Sequence, residues 1–199
     1  MEFQGFPKIA RLRRTICVTE KLDGTNAQIV IVPRAEATGL GGFYDEATDQ
    51  FMYVGSRTRW ITPGKDTDNY GFARWAQEHA AELFTLGPGQ HFGEWWGQGI
   101  QRGYGLNEKR FSLFNTHRWG NPESRPACVG VVPVLYHGVF SEEKIKECLI
   151  ALEVEGSKAA PGFGSPEGIV IYHEASKQLY KQTIAKDEEP KGAQRGIEG

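Results

Sequence analysis

The sequence lacks any apolar run approaching the roughly 20 residues that a membrane-spanning helix needs. Its start, Met1-Glu2-Phe3-Gln4-Gly5-Phe6-Pro7, lacks the ordered basic and apolar regions of a signal peptide. A soluble, untargeted, cytoplasmic protein with no membrane partner is expected. Cysteine is scarce: Cys17, Cys128 and Cys148 are odd in number, far apart and without a CxxC pair. Neither a disulfide framework nor a zinc cluster is written in that spacing. The five histidines form no HExxH and no ligand spacing, so they are assigned no metal role. Net charge is lacking as well, since 23 Lys and Arg against 25 Asp and Glu leave −2. That excludes a uniformly basic nucleic-acid carpet, and a nucleic-acid partner would need a local groove of clustered cations.

What is present fits one globular domain of 199 residues with a full core. Hydrophobic residues at 39% and charged residues at 24% lie away from the signature of disorder. Glycine, with 25 residues, stands at about 13% against a usual ~7% and has no period, which favours many turns and a strand-rich architecture. Strands are expected at Thr15–Lys21, Ala27–Pro33, Phe51–Ser56, His91–Trp96, Phe111–Thr116, Val131–Val139, Gly168–His173 and Leu179–Ile184. A helix is expected between Asp68 and Leu86, where Phe72, Trp75, Ala76, His79, Ala80 and Leu83 recur at helical steps before Gly87-Pro88-Gly89. A second starts at the N-cap Ser141, buries Ile145, Cys148, Leu149 and Leu152, and stops near Gly156. Both read as cover helices on sheets. Gly39-Leu40-Gly41-Gly42 reads as the tip of a long hairpin connection rather than a phosphate loop, and residues 187–199 read as a solvated polar tail.

For chemistry the informative segment is Thr19-Glu20-Lys21-Leu22-Asp23-Gly24-Thr25-Asn26, between two expected strands. In the bland reading Asp23-Gly24 is a hairpin turn and Lys21 a surface charge. A KxDG arises by chance in roughly 5% of chains this long, so alone it decides little. In the functional reading Lys21 is a nucleophile, which needs burial or a nearby cation to favour the free amine. A metal ion would serve, and it needs carboxylates. Glu94 in Phe92-Gly93-Glu94-Trp95-Trp96-Gly97 and Glu167 in Ser165-Pro166-Glu167-Gly168-Ile169-Val170-Ile171 each sit beside glycine at a strand edge, where surface carboxylates are the bland alternative. Lys181 interrupts the apolar strand Leu179-Tyr180-Lys181-Gln182-Thr183, and Arg57 follows a strand in Gly55-Ser56-Arg57-Thr58-Arg59; solvent, ribose and phosphate all suit them.

Taken in order, EKLDG, GSR, GEWWG, FSLFN, PEGIVIY and LYKQT resemble the motifs of the covalent nucleotidyltransferase superfamily of ligases and capping enzymes, over about residues 7–186. Asn26, where DNA ligases and capping enzymes typically carry arginine, is similar to the KxxGxN form of RNA ligases. The match is nearest to the T4 RNA ligase 2-like and RNA-editing ligase group, and Gly97-Gln98-Gly99-Ile100-Gln101 also resembles RNA ligase relatives. The resemblance implies an α+β, ATP-grasp-like nucleotidyltransferase fold, with antiparallel sheets flanking a nucleotide cleft under cover helices. It implies an ATP-dependent RNA ligase of RNA repair, which joins 5′-phosphate and 3′-hydroxyl RNA ends through a lysine-AMP and then an RNA-adenylate.

Residue by residue, the resemblance makes Lys21 the adenylated lysine, Glu20 an adenine reader, and Asn26 a group near the α-phosphate. Arg57 becomes the ribose contact, Phe114 of Phe111-Ser112-Leu113-Phe114-Asn115 the ring stacked on adenine, and Lys181 a neutraliser of the α-phosphate. Asp23, Glu94 and Glu167 become holders of a hydrated Mg²⁺ or Mn²⁺, with Glu94 also reaching the ribose; a core role for Phe114 is the bland alternative. Two departures stand out. Thr183 occupies the place of the family's second lysine, for which Lys186 is the candidate substitute, and no OB-fold or helical domain is expected after the last motif. RNA affinity is then left to Lys8, Arg11, Arg13, Arg14, Arg102, Lys109, Arg110 and Arg118, or to an accessory protein. The alternatives are a DNA ligase or GTP-using capping-type nucleotidyltransferase, and a non-catalytic nucleotide- or RNA-binding module.

Overall fold

Ile16, Val18 and Glu20 alternate with Cys17, Thr19 and Lys21, and this period of two yields the first strand, β1 (Thr15–Lys21). The structure, a computed structural model, describes residues 2–39 and 41–185; Lys186 and the polar tail expected over 187–199 lie outside the described residues. Further strands are β2 (Thr25–Pro33), β3 (Phe43–Asp45), β4 (Gln50–Ser56), β5 (Trp60–Ile61), β6 (Gly89–Gly97), β7 (Lys109–Leu113), β8 (Val129–Val131), β9 (Val134–Val139), β10 (Gly168–His173) and β11 (Gln178–Thr183). The helices are α1 (Phe72–Glu78), α2 (Ala80–Leu83), α3 (Thr116–Trp119) and α4 (Glu142–Glu155). No helix among the described residues is long and apolar enough to cross a membrane.

The backbone gathers into two compact units, one of residues up to Lys21 with those from Pro133 onward, the other of Leu22–Val132. The first unit holds an antiparallel sheet in the order β11-β10-β1-β9. Helix α4 covers it: Ser141 Oγ accepts from Lys144 N at the N-terminus, and Ile145, Cys148 and Leu152 bury their side chains with Ile16, Val18, Ile169 and Ile171. Truncating the fully buried Leu152 to alanine is expected to lower unfolding stability by about 2–5 kcal/mol. Urea unfolding measures it, and a loss below about 1 kcal/mol would mean the helix is not anchored through this face.

The second unit holds the larger sheet, ordered β3-β4-β2-β6-β7-β8, with β5 pairing β4 as well. Its core joins Ile29, Ile31, Met52, Val54, Trp95 and Phe111 to Phe72, Ala73, Ala76 and Leu83 of α1 and α2. The sheet departs from purely antiparallel pairing, because β8 runs parallel to β7 with Phe111 opposite Val129.

Where elements differ from expectation, local chemistry supplies the reason. The strand expected over Val131–Val139 is two strands in different units, divided at Pro133, which has no N–H for a ladder. The helix expected from Asp68 starts at Phe72 because Gly71 is left-handed (φ 83°), while the Asp68 carboxylate caps the N–H groups of Ala73 at 2.8 Å and Arg74 at 3.1 Å. It breaks at His79, whose backbone (φ −106°, ψ 16°) leaves the helical region. Strand β7 stops at Leu113 because Asn115 turns the chain, its Oδ1 accepting from Arg118 N to cap α3. The connection after β2 contains β3, paired with β4, rather than a bare hairpin tip.

Cys128 lies partly buried against this core. Burial foremost, and then the Glu82 carboxylate, push its thiol up to about 12. The thiol is expected to resist alkylation by iodoacetamide at neutral pH in the folded protein. Because the unfolded chain gives up this proton near 9.0, the associated stability is present below that pH and is lost as pH rises through about 12. A Cys128→Ala variant with an unchanged alkaline unfolding profile would contradict this.

Candidate active site

In the first unit the site residues follow from sheet register. Lys21, at the end of β1, stands opposite Gly168 of β10, and Gly168 opposite Thr183 of β11. Two rows on, and so next on the same face, stand Thr19, Val170 and Lys181. Residues two apart on a strand share a face, so Lys21 and Lys181 project from the same face of this sheet. The Lys21 ammonium donates to Glu167 Oε2 at 2.7 Å; Glu167 is buried and Lys21 keeps 20% of its side chain exposed. Lys181 is exposed, and Thr183 donates its hydroxyl to the Ala185 carbonyl at 3.0 Å.

Glu20 belongs to the opposite face. It shares that face with Ile16, Val18 and Ile169 and is 1% exposed. Its Oε1 accepts from Ser157 Oγ at 2.6 Å, and its Oε2 accepts from the N–H groups of Lys158 at 2.8 Å and Ala159 at 3.0 Å. Strand alternation, visible in the sequence, already separates the side chains of Glu20 and Lys21; the partner turn is 137 residues away and carries no motif that points to it.

In the second unit the constellation is built on β2, β6 and β7. Asn26, Glu94 and Ser112 form one cross-strand row. The buried Glu94 carboxylate accepts from Gly24 N and from Asn26 Nδ2, both at 3.1 Å. Charged hydrogen bonds of this kind hold a carboxylate that burial would otherwise penalise. Asp23 is set by Tyr104, to which the sequence assigned no role, and by Arg102, which the sequence nominated for RNA instead. Tyr104 accepts the Asp23 N–H at its hydroxyl (2.8 Å), and Arg102 Nε donates to Asp23 Oδ2 (2.9 Å). Both lie in a run of left-handed turns that includes Gln101 (φ 45°) and Tyr104 itself (φ 55°). Glycine spacing after GEWWG was the only available hint.

Arg57 lies exposed at the tip between β4 and β5, one residue past the Ala27–Ser56 pair. Phe114 just follows β7 with 41% of its surface exposed, its N–H bonded to the Phe92 carbonyl at 3.0 Å. The ring is therefore outside the apolar core. Among the cations nominated for RNA, Lys8, Arg11, Arg13 and Arg14 lie exposed before β1. Several of the others have structural work: Lys109 donates to the Tyr70 carbonyl, Arg110 pairs with Glu108, and Arg118 donates to the Leu86 carbonyl beside the Trp119 ring.

Each unit offers carboxylate oxygens of its own, Asp23 and Glu94 in one and Glu167 in the other. That donor chemistry fits a hydrated hard cation such as Mg²⁺ or Mn²⁺, which takes few carboxylates together with substrate phosphates. Within either unit, the described residues form no closed cluster of three or more acidic, histidine or cysteine ligands.

A family model described as RNA ligase matches residues 14–186. No curated protein matches the chain. Among solved structures, a Naegleria gruberi RNA ligase mutant with ATP and manganese aligns with TM-score 0.59 at 18% identity, covering 90% of this chain and 53% of that one. Another mutant of that enzyme with ATP and manganese gives 0.57 at 17%, covering 86% and 49%. A third, with AMP and manganese, gives 0.57 at 18%, covering 85% and 49%. The chain thus spans about half the length of these structures and shares their nucleotidyltransferase-type fold.

Proposed function

The chain belongs to the RNA ligase family, and from that premise we propose that it is an ATP-dependent RNA ligase working through a lysine adenylate on Lys21. The observation that carries the reading is the Lys21 amine, at the end of β1 in the KLDGTN segment, held 2.7 Å from the buried Glu167 carboxylate. In the first step Lys21 Nζ attacks the α-phosphorus of ATP. For that attack the ammonium first gives one proton to Glu167 Oε2 and frees its lone pair; the new N–P bond replaces the P–O bond to the β-phosphate, pyrophosphate leaves with that bonding pair, and the second Nζ proton passes to solvent. AMP then passes to an RNA 5′-phosphate, and a 3′-hydroxyl displaces AMP to form the phosphodiester. Covalent storage splits one hard displacement into easier ones.

Lys181, on the same face as Lys21, supplies positive charge toward the α-phosphate; Asn26, held by Glu94 in the second unit, is proposed as a phosphate-orienting amide. Arg57 and Phe114, both exposed, suit the ribose and the adenine ring. Asp23 and Glu94 in the second unit, and Glu167 in the first, are each proposed as carboxylate donors to magnesium or manganese, which when bound offsets negative charge on the phosphates. The ATP, AMP and manganese named with the Naegleria gruberi relatives support this choice of substrate and ion.

The test is covalent labelling. Protein incubated with α-labelled ATP and Mg²⁺ or Mn²⁺ should retain label through a denaturing gel, while α-labelled GTP leaves none. The labelled protein should then seal nicked RNA in preference to DNA. Label from GTP would replace this reading with capping-type chemistry, and loss of all RNA preference with a DNA ligase. ATP binding by a folded, unadenylated protein that takes no label would replace it with a non-catalytic nucleotide-binding module, the reading that Thr183 in place of a second lysine favours.

A further inference from the structure

Glu20 is a buried carboxylate without a cationic partner in the hydrogen bonds it makes. Three donors of a single turn serve it: the Ser157 hydroxyl and the consecutive main-chain N–H groups of Lys158 and Ala159. Ser157 Oγ in turn accepts from Ala160 N at 3.0 Å, so the turn closes on itself around the carboxylate. The segment that follows is compact. Ser157 N donates to the Phe163 carbonyl and Phe163 N to the Ala160 carbonyl. Gly156, at φ 82°, allows that approach, since a Cβ there would meet the Phe163 carbonyl at 2.6 Å. Three residues after Gly164 the chain reaches Glu167, whose carboxylate holds Lys21. Adjacent residues of one strand, Glu20 and Lys21, therefore grip the two ends of the same loop from opposite faces of the sheet.

We propose that Glu20 is a positioning residue: its carboxylate latches the Ser157–Ala160 turn and, through the loop behind it, sets Glu167 against the Lys21 nucleophile. The inference rests on Lys21 being the adenylated group and assigns Glu20 a role other than reading the base. Both Glu20 oxygens are bonded to the turn, on the face of β1 away from Lys21.

Three variants test it. Glu20→Ala removes the latch from the strand, and Ser157→Ala weakens it from the turn without touching Glu20. Glu20→Gln can rebuild it, with Oε1 accepting both N–H groups and Nε2 donating to Ser157 Oγ. Hydrogen exchange at the Lys158 and Ala159 amides is expected to accelerate about tenfold or more in Glu20→Ala, and less in Ser157→Ala. The labelling rate at saturating ATP should fall about tenfold in Glu20→Ala and several-fold in Ser157→Ala, with apparent ATP affinity and ATP-over-GTP preference unchanged. Glu20→Gln should recover the protection and most of the rate.

The proposal is overturned if Glu20→Ala and Glu20→Gln lose the preference for ATP while Ser157→Ala behaves as wild type, which is the pattern of a base reader. It is overturned equally if the two amides stay protected in Glu20→Ala. Should the wild-type protein take no label at all, the ligase reading fails by itself. The latch is then judged by acylation of Lys21 with an amine-reactive ester, read by mass spectrometry: a several-fold change in Glu20→Ala supports it, and an unchanged rate removes it.

Discussion

Lys21→Ala is expected to eliminate covalent nucleotide label, and Lys21→Arg to eliminate it just as fully while retaining the stability that alanine loses. The two losses have different physical origins. Alanine removes the nucleophile and also the ion pair with Glu167, whose side chain is only 5% exposed. Withdrawing the partner of a buried charged hydrogen bond costs about 1–3 kcal/mol, which urea unfolding resolves. Arginine can still serve Glu167, but its guanidinium does not deprotonate and so cannot attack phosphorus. Adenylate formation should fall by at least about 10⁴-fold in both variants, since no neighbouring amine lies on the same ladder row. Label persisting on Lys21→Arg would move the covalent step to another residue and end the proposed assignment.

The second large effect is expected at Gly24. The bland sequence reading gave Asp23-Gly24 to a hairpin turn, yet β1 and β2 lie in different sheets and do not pair. What the position demands is the absence of a side chain. A Cβ on Gly24 would press into the Trp95 carbonyl, come within 2.7 Å of Trp96 Cβ and reach 3.0 Å from Glu94 Cγ. Main chain on one side and a buried indole on the other leave little room to give. Gly24→Ala must therefore move the backbone that donates to Glu94 Oε1 and, with it, the seat of Asn26. Overpacking of this kind costs about 1–3 kcal/mol, and a displacement near 1 Å at a reacting group costs about 10²-fold in rate. Thermal unfolding and the labelling assay read the two effects separately. A variant with wild-type melting and labelling would show that the contact relaxes without consequence.

Residue pattern alone made much of the fold legible. Enrichment in β-branched and aromatic residues between turn residues delimited Thr15–Lys21 and Gly168–His173. Ser141 followed by acidic residues and a 145/148/152 stripe marked the helix from Glu142, and Gly156 marked its end. These are local signals: a cap serves an N–H three residues on, and a period of two or 3.6 repeats within one element. The sequence failed where a local preference was overridden nearby, as at left-handed Gly71, at Pro133, and at the Asn115 cap that diverted the strand over Phe111–Thr116.

The candidate residues themselves came from motif order, and the sequence by itself determined which residue types stand in or beside which strands. Only the tertiary structure decided their partners. Lys21 meets Glu167 across 146 positions, Asn26 meets Glu94 across 68, and Asp23 meets Arg102 across 79. The turn that closes on Glu20 was likewise invisible, because main-chain N–H groups carry no sequence signature. Periodicity states that a side chain faces inward or outward; it does not state which strand is laid alongside, or in which register. That choice is made when distant segments exclude water together, so the partners of each site residue are fixed by packing rather than by spacing.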